Sequence, residues 1–428
     1  VSGSFRTLAP LLTLTVALGA CRSVDIVATR VQGGATAGDA EADTATDADA
    51  VADASTDAGR DAAGPGCDER GPRLRVGDNS LTDTVCTNGT PARAFLHALC
   101  VCEDFAAGNN LLTDAVDSSS AAFPAAQAGG SVGVNGEVRN SNFYLHVGGS
   151  LTVAGPLGVT IAPTVSPAAD LQVGGNLLIG GELQGSDSGV AVGGDARVAG
   201  RVIVRDLEVG GRLSVPEGFE IDVSGAEQIG SLVREPVQVK QPCGCEQAEL
   251  ADIAALVRAR ENDNDNELLA FDIAELESYQ GPVTRELPCG RFYLRRLSGQ
   301  GGLELVVSGR AALYVADHAN LDGPFSVRLR PGAGLDLFFA NSLVAADILQ
   351  LGSRDAPERV RLYIGGGGTV DLNGQSLVAG HLYAPRAVLV NQEHLEVFGS
   401  VFVQRVSGPG GLTVHQDINP LEAGEPCP

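Results

Sequence analysis

FYLHVGGSLTVAG (143–155), ADLQVGGNLLIGG (169–181), SGVAVGGDARVAG (188–200) and RDLEVGGRLSVPE (205–217) align on their double glycines. The pairs begin at 148, 174, 193 and 210, so the spacings are 26, 19 and 17 residues. Apolar residues alternate on both sides of each pair, as in Leu171-Gln172-Val173 and Leu207-Glu208-Val209. Alternation with a period of two gives a strand with one buried face. Gly-Gly marks a corner, read here as one that needs positive φ. A repeat of roughly 17–20 residues suits one coil of a three-sided β-helix, in which each coil covers its neighbour and none is stable alone. The expected fold is therefore all-β, a right-handed parallel β-helix with a small helical insertion. An antiparallel sandwich with glycine turns is the alternative. The 26-residue spacing contains Ala162-Pro163-Thr164-Val165-Ser166-Pro167, which reads as a loop inserted in one coil.

Strand patterning returns after residue 290, in Leu303–Val307, Ala312–Val315, Phe325–Leu329, Val360–Ile364 and on to Leu395–Val403. Composition agrees with thin stacked layers. The chain holds 56 Gly in 428 residues and neither Trp nor Met, whereas a large conventional core draws on bulky side chains. The two strand regions, 129–242 and 290–428, are separated by 243–289. There Leu250, Ile253, Ala254 and Val257 form one helical stripe. Asp263 to Glu267 reads as a loop, and Leu268 to Tyr279 as a second short helix. Asn262-Asp263-Asn264-Asp265-Asn266 superficially resembles a calcium loop but lacks its Gly and its terminal Glu. Residues 67–128 are expected to be a Cys-containing cap, with a short helix around Ala92 to Cys102.

Residues 1–21 read as a lipoprotein signal: Arg6, an apolar stretch from Leu8 to Leu18, then the lipobox Leu18-Gly19-Ala20-Cys21. Small residues admit the signal peptidase, and the Cys21 thiol takes the lipid. Arg22 replaces the Asp that signals inner-membrane retention in some bacteria, so the outer membrane or cell surface is the expected address. Residues 22–66 read as an Ala/Asp-rich tether. Within 33–66 eight acidic residues face the single Arg60, too polar a stretch to offset its chain entropy by burial.

Beyond Cys21 the cysteines are Cys67, Cys86, Cys100, Cys102, Cys243, Cys245, Cys289 and Cys427. An even set in an exported chain reads as disulfides rather than a zinc site. Cys243 or Cys245 is expected to pair with Cys289, closing a loop of about 45 residues at roughly 4 kcal/mol on the chain-entropy account.

A net charge of −24 argues against nucleic acid and anionic lipid as electrostatic partners. The six histidines are dispersed. The close acid–His pairings, Asp317-His318 and His415 with Asp417, read as solvated turns. Gly365 to Gly368 is no phosphate loop, because no Lys-Ser/Thr follows. No catalytic residue, metal ligand or cofactor is expected.

Leu287-Pro288-Cys289-Gly290-Arg291-Phe292-Tyr293-Leu294, Leu382-Tyr383-Ala384-Pro385-Arg386-Ala387, and Phe398-Gly399-Ser400-Val401 through His415-Gln416-Asp417, with the C-x-C pairs, resemble an uncharacterised β-helical domain of exported Gram-negative lipoproteins. Related domains occur in pilus-assembly-like and surface-adhesion proteins. The resemblance spans roughly 80–418 and brings no activity and no catalytic residues. The 143–217 repeats also resemble bactofilins, which are polymer-forming β-helices. The expected function is a surface-anchored structural or adhesive lipoprotein, not an enzyme. A carbohydrate- or ligand-binding envelope module is the alternative, and a β-helix polysaccharide-active enzyme the third reading. Envelope polysaccharide or other surface proteins are the expected partners, besides the membrane at Cys21. A capped monomer is favoured over end-to-end assembly through an open coil near Val401 to Val414.

Overall fold

A computed structural model describes residues 95–118, 129–141, 144–160 and 171–418, together with the two-residue strands Leu74–Arg75 and Thr84–Val85, which pair antiparallel. Cys21, Cys67, Cys86 and Cys427, the signal segment, the tether and the 162–167 insertion lie outside the described residues.

Apart from that small antiparallel pair, the strands form parallel ladders in a β-solenoid of about 13 turns. One interior column shows how the coils stack. In register, Phe292 lies on Leu313, Leu337, Leu362, Leu382 and Val401 in succession. Val401 then pairs with Leu99, and the column continues through Val132, Leu151, Leu177, Ala196, Leu213 and Leu232. Aliphatic and aromatic side chains at alternate positions fill the interior. The exposed edge of each coil is covered by the next, as layer stacking requires.

The column also fixes an unexpected chain order. Residues 279–417 wind down to the middle, where the last coil stacks on the coil 99–116, and residues 99–234 continue the same solenoid downwards. The chain thus enters and leaves the solenoid side by side at mid-length. Residues 235–278 join the lower end to the upper end along the outside. Nine residues of extended chain from Arg234 to Cys243 reach about 30 Å, and climbing five or six coils at ~4.8 Å each needs roughly 24–29 Å.

Four expectations change accordingly. The N-terminal cap is instead a central coil: Leu99–Val101, Phe105–Ala107 and Leu111–Val116 each have a parallel partner on both sides. The helix expected around Ala92 to Cys102 gives way to strand at Leu99–Val101, because Leu99 and Val101 must point inwards. The coil 401–414 is not an open end, since Leu111–Val116 and Leu99–Val101 cover it. The segment 243–289 is not an insertion between consecutive coils. It belongs to the return strap, which carries the helix α1 (Ile253–Ala259) and short 3-10 turns at Asn266–Leu268 and Ile273–Glu277.

The double glycines mark corners, but for a different reason than expected. None of those at 148, 149, 174, 175, 193, 194, 210 or 211 takes a left-handed φ. What they permit is close stacking. A Cβ on Gly174 would lie 2.4 Å from the Gly148 carbonyl oxygen, and one on Gly193 2.4 Å from that of Gly174.

Candidate functional site

Outward-facing residues next to the interior column form a second column: Tyr293, Tyr314, Phe338, Tyr363, Tyr383, Phe402, Cys100 and Gly133. The rings of Tyr314, Phe338 and Tyr363 stack at 4.9 and 4.7 Å between centroids, and Tyr383 and Phe402 at 5.4 Å. Six aromatic groups on the outside of a β-solenoid need a cover, and the strap supplies it. Ile253 and Val257 of α1 are fully buried with Tyr314, Phe338, Tyr363, Tyr383 and Phe402 in one outer cluster. Asp252 caps the helix by accepting from the Ala255 N–H at 2.9 Å. The Ala251 N–H donates to the Tyr383 hydroxyl at 2.9 Å. Gly365 lies under α1, where a Cβ would come within 2.9 Å of the Ile253 Cβ.

The aromatic column ends at the strap's covalent anchor. Cys100 bonds to Cys243 and Cys102 to Cys245, each across 143 residues of sequence. Strand alternation explains the C-x-C spacing: Val101 points into the core, so both sulfurs point out to meet the strap. Asn135 holds the same point, donating to the Cys243 carbonyl at 2.9 Å and accepting from its N–H at 3.0 Å. The expected pairing of Cys243 or Cys245 with Cys289 is therefore corrected. Proximity in sequence favoured Cys289, but the strap crosses the central coil before it reaches that residue. Cys289 is itself disulfide-bonded. With the four thiols of the two C-x-C pairs consumed, the zinc alternative loses its ligands.

Further up, the Asn262 to Asn266 run serves as a clip. The Asp265 N–H donates to the Arg291 carbonyl at 2.7 Å, and its carboxylate accepts from the Arg291 N–H at 2.8 Å. Asn266 makes the equivalent pair with the Tyr293 backbone, and Asp263 pairs with Arg260. The expected second helix over Leu268 to Tyr279 shortens to the 3-10 turn Ile273–Glu277, in which Asp272 accepts from the Ala274 N–H at 3.0 Å.

Beneath the strap lies a buried polar group that sequence reading missed. Asp336 is fully buried and accepts from Arg361 through Nε at 2.5 Å and Nη2 at 3.0 Å, with Arg310 as a second partner. Burial pushes the Asp336 carboxyl up, and Arg310 opposes that shift. Leu335-Asp336-Leu337 and Val360-Arg361-Leu362 each place one charge between core residues. Only the register shows that the two charges meet. His381 follows in the same column, stacked on Phe95 at 4.7 Å, and burial lowers its pKa to about 4. Among the described residues neither of its ring nitrogens has a hydrogen-bond partner.

The middle seam carries the other concentration of polar groups. His415 meets Asp114 at 2.6 Å and Glu396 at 3.4 Å, rather than Asp417, which accepts from the Ser118 hydroxyl at 2.7 Å. Asp317 and His318 do pair, at 3.0 Å. Beside the seam is an open groove of about 620 Å³. Asn110, Tyr144, His146, Glu393, His394 and Gly410 are among the residues that line it. Gly410 lets the chain pass close to the neighbouring coil, because a Cβ there would lie 1.7 Å from the Glu393 carbonyl oxygen. Among the described residues no group of three or more His, Cys, Asp or Glu could hold a metal ion. No described helix is long and apolar enough to cross a membrane.

Residues 244–421 match a family described as a domain of unknown function, DUF7305. The matched stretch holds most of the strap and all the coils 279–417, and excludes the double-glycine coils. No curated protein and no solved structure matches the chain.

Proposed function

We propose that this chain is a surface-anchored structural or adhesive lipoprotein, tethered at Cys21 and presenting its solenoid off the outer membrane, and not an enzyme. The observation that carries the reading is the pair of disulfides, Cys100–Cys243 and Cys102–Cys245, that fastens the strap to the central coil. Such bonds persist in oxidising compartments, which agrees with the export signal read at Leu18 to Cys21. The body suits a spacer or a display surface. His415 is spent on contacts with Asp114 and Glu396 of the neighbouring coils, and the buried Asp336 is closed off by two arginines. The kinship with pilus-like surface proteins and with bactofilins belongs to the same proposal.

Fatty-acid labelling together with detergent phase partition tests the anchor. Wild-type protein should take label and enter the detergent phase, and Cys21→Ala should do neither. A Cys21→Ala chain that still fractionates wholly with the membrane overturns the reading. Protease shaving of intact cells then tests outward display.

The groove beside the seam supports a second reading, an envelope module that binds carbohydrate. Its amide, imidazole and phenol groups can hydrogen-bond sugar hydroxyls, and Tyr144 offers a ring. Saturable binding of an envelope polysaccharide that is lost in Tyr144→Ala would favour this reading.

A further inference from the structure

The two ends of the solenoid differ. At the upper end, Leu269, Phe271, Ile273 and Leu276 pack against the interior cluster. The outer side of the strap cannot reach that cluster, so these residues lie across the mouth of the first coil. The edge of Gly290–Leu294 is also occupied, by Asp265 and Asn266. At the lower end, the strand Glu227–Arg234 pairs with Val202–Val215 on one side, and the described residues place nothing on the other. Leu232 is 49% exposed and Phe219 42%.

That strand reads Glu227-Gln228-Ile229-Gly230-Ser231-Leu232-Val233-Arg234. Its register on Leu207, Val209, Leu213 and Val215 puts Glu227, Ile229, Leu232 and Arg234 on the axis side. That set is self-complementary. If two such strands meet antiparallel about a two-fold axis between Gly230 and Ser231, Ile229 faces Leu232, and Glu227 faces Arg234 of the second copy, whose guanidinium also donates to the Pro216 and Phe219 carbonyls of its own chain. Opposite charges and apolar pairs placed directly across an antiparallel ladder are favourable. The edge bonds of the last coil, which no described residue takes up, are then paired.

We propose that the lower end is a self-association surface, and that two copies of this chain join there through strand 227–234. The covered upper end stops growth at two, because a two-fold contact between like ends closes on itself. This inference concerns the solenoid end and does not depend on the anchor at Cys21. Axis-facing charges on an edge strand can also serve to keep it unpaired, which is the monomeric outcome of the test below.

The test is sedimentation equilibrium on the full chain carrying Cys21→Ser, over a wide concentration range. A monomer–dimer equilibrium without larger species is expected. Glu227→Arg and Arg234→Glu should each weaken the dimer about tenfold or more, and the double exchange should restore it to within about threefold. Leu232→Lys, at a half-exposed position, should abolish the dimer and leave the melting temperature of the dilute, monomeric protein unchanged, which separates loss of association from loss of fold. A monomer at every concentration, growth beyond the dimer, or a double exchange that fails to restore it would overturn the proposal.

Discussion

On the outward column, coils 290–403 carry Tyr293, Tyr314, Phe338, Tyr363, Tyr383 and Phe402, whereas coils 132–215 carry Gly133, Thr152, Leu178, Arg197 and Ser214. The interiors differ in the same sense: Phe292, Phe325 and Phe339 in the upper coils against Val, Leu, Ile and Ala from 132 to 215. The lower coils hold together through their own corners. Glycines let the backbones close up, and the following residue bonds to the next coil. The Asn176 N–H donates to Ser150 Oγ at 3.0 Å, the Asp195 N–H to Asn176 Oδ1 at 2.9 Å, and the Arg212 N–H to Asp195 Oδ1 at 2.8 Å. The upper coils depend on a second element, the strap, which turns an exposed aromatic face into core. A solenoid can therefore be stabilised by repetition alone or by a cover, and this chain uses one device in each half.

The disulfides that fasten the cover should have the largest effect. Cys100–Cys243 closes 143 residues, about 5 kcal/mol on the chain-entropy account. Cys102–Cys245, two positions on, adds little further restriction. Replacing all four cysteines by serine should lower the denaturation free energy by about that amount, while either bond alone should preserve most of it. A loss of more than about 2 kcal/mol on removing either bond alone would break this account. Phe338→Ala, at the centre of the aromatic column, should cost about 3–5 kcal/mol by calorimetry or denaturant titration. It should also release the strap to proteolysis near α1. No comparable change exists on the outward column of the lower coils.

His381 gives the comparison a pH dependence. Its folded pKa, about 4, lies below the ordinary 6.5, so the unfolded chain binds the proton first. The stabilisation is fully present above about pH 6.5 and is lost as pH falls towards 4, on the order of 3 kcal/mol in all. His381→Leu should flatten that part of the stability–pH curve, and an unchanged curve would show that the acid sensitivity lies elsewhere. The smallest effect belongs to the corner ladder. Asn176→Ala removes one bond at an exposed corner and should cost about 1 kcal/mol or less, read as a small fall in melting temperature.

The sequence by itself determined the local and periodic facts. Leu171-Gln172-Val173 and its repeats specify strands because alternation is a property of neighbouring residues. The double-glycine spacing specifies a coil because each corner needs the same small residue, although the need is for close approach rather than for positive φ. Of the stripe Leu250, Ile253, Ala254 and Val257, the last three announce α1, whereas Leu250 lies before it in extended backbone. The tertiary structure alone decided which coil lies on which. That Leu99 stacks on Val401, that Cys100 meets Cys243 rather than Cys289, and that Asp336 finds Arg361 all depend on the chain starting its solenoid in the middle. Every coil presents a similar apolar edge, so pairing between distant segments is not encoded in any one of them. It is settled by the summed burial of the stack and by a strap long enough to connect its two ends.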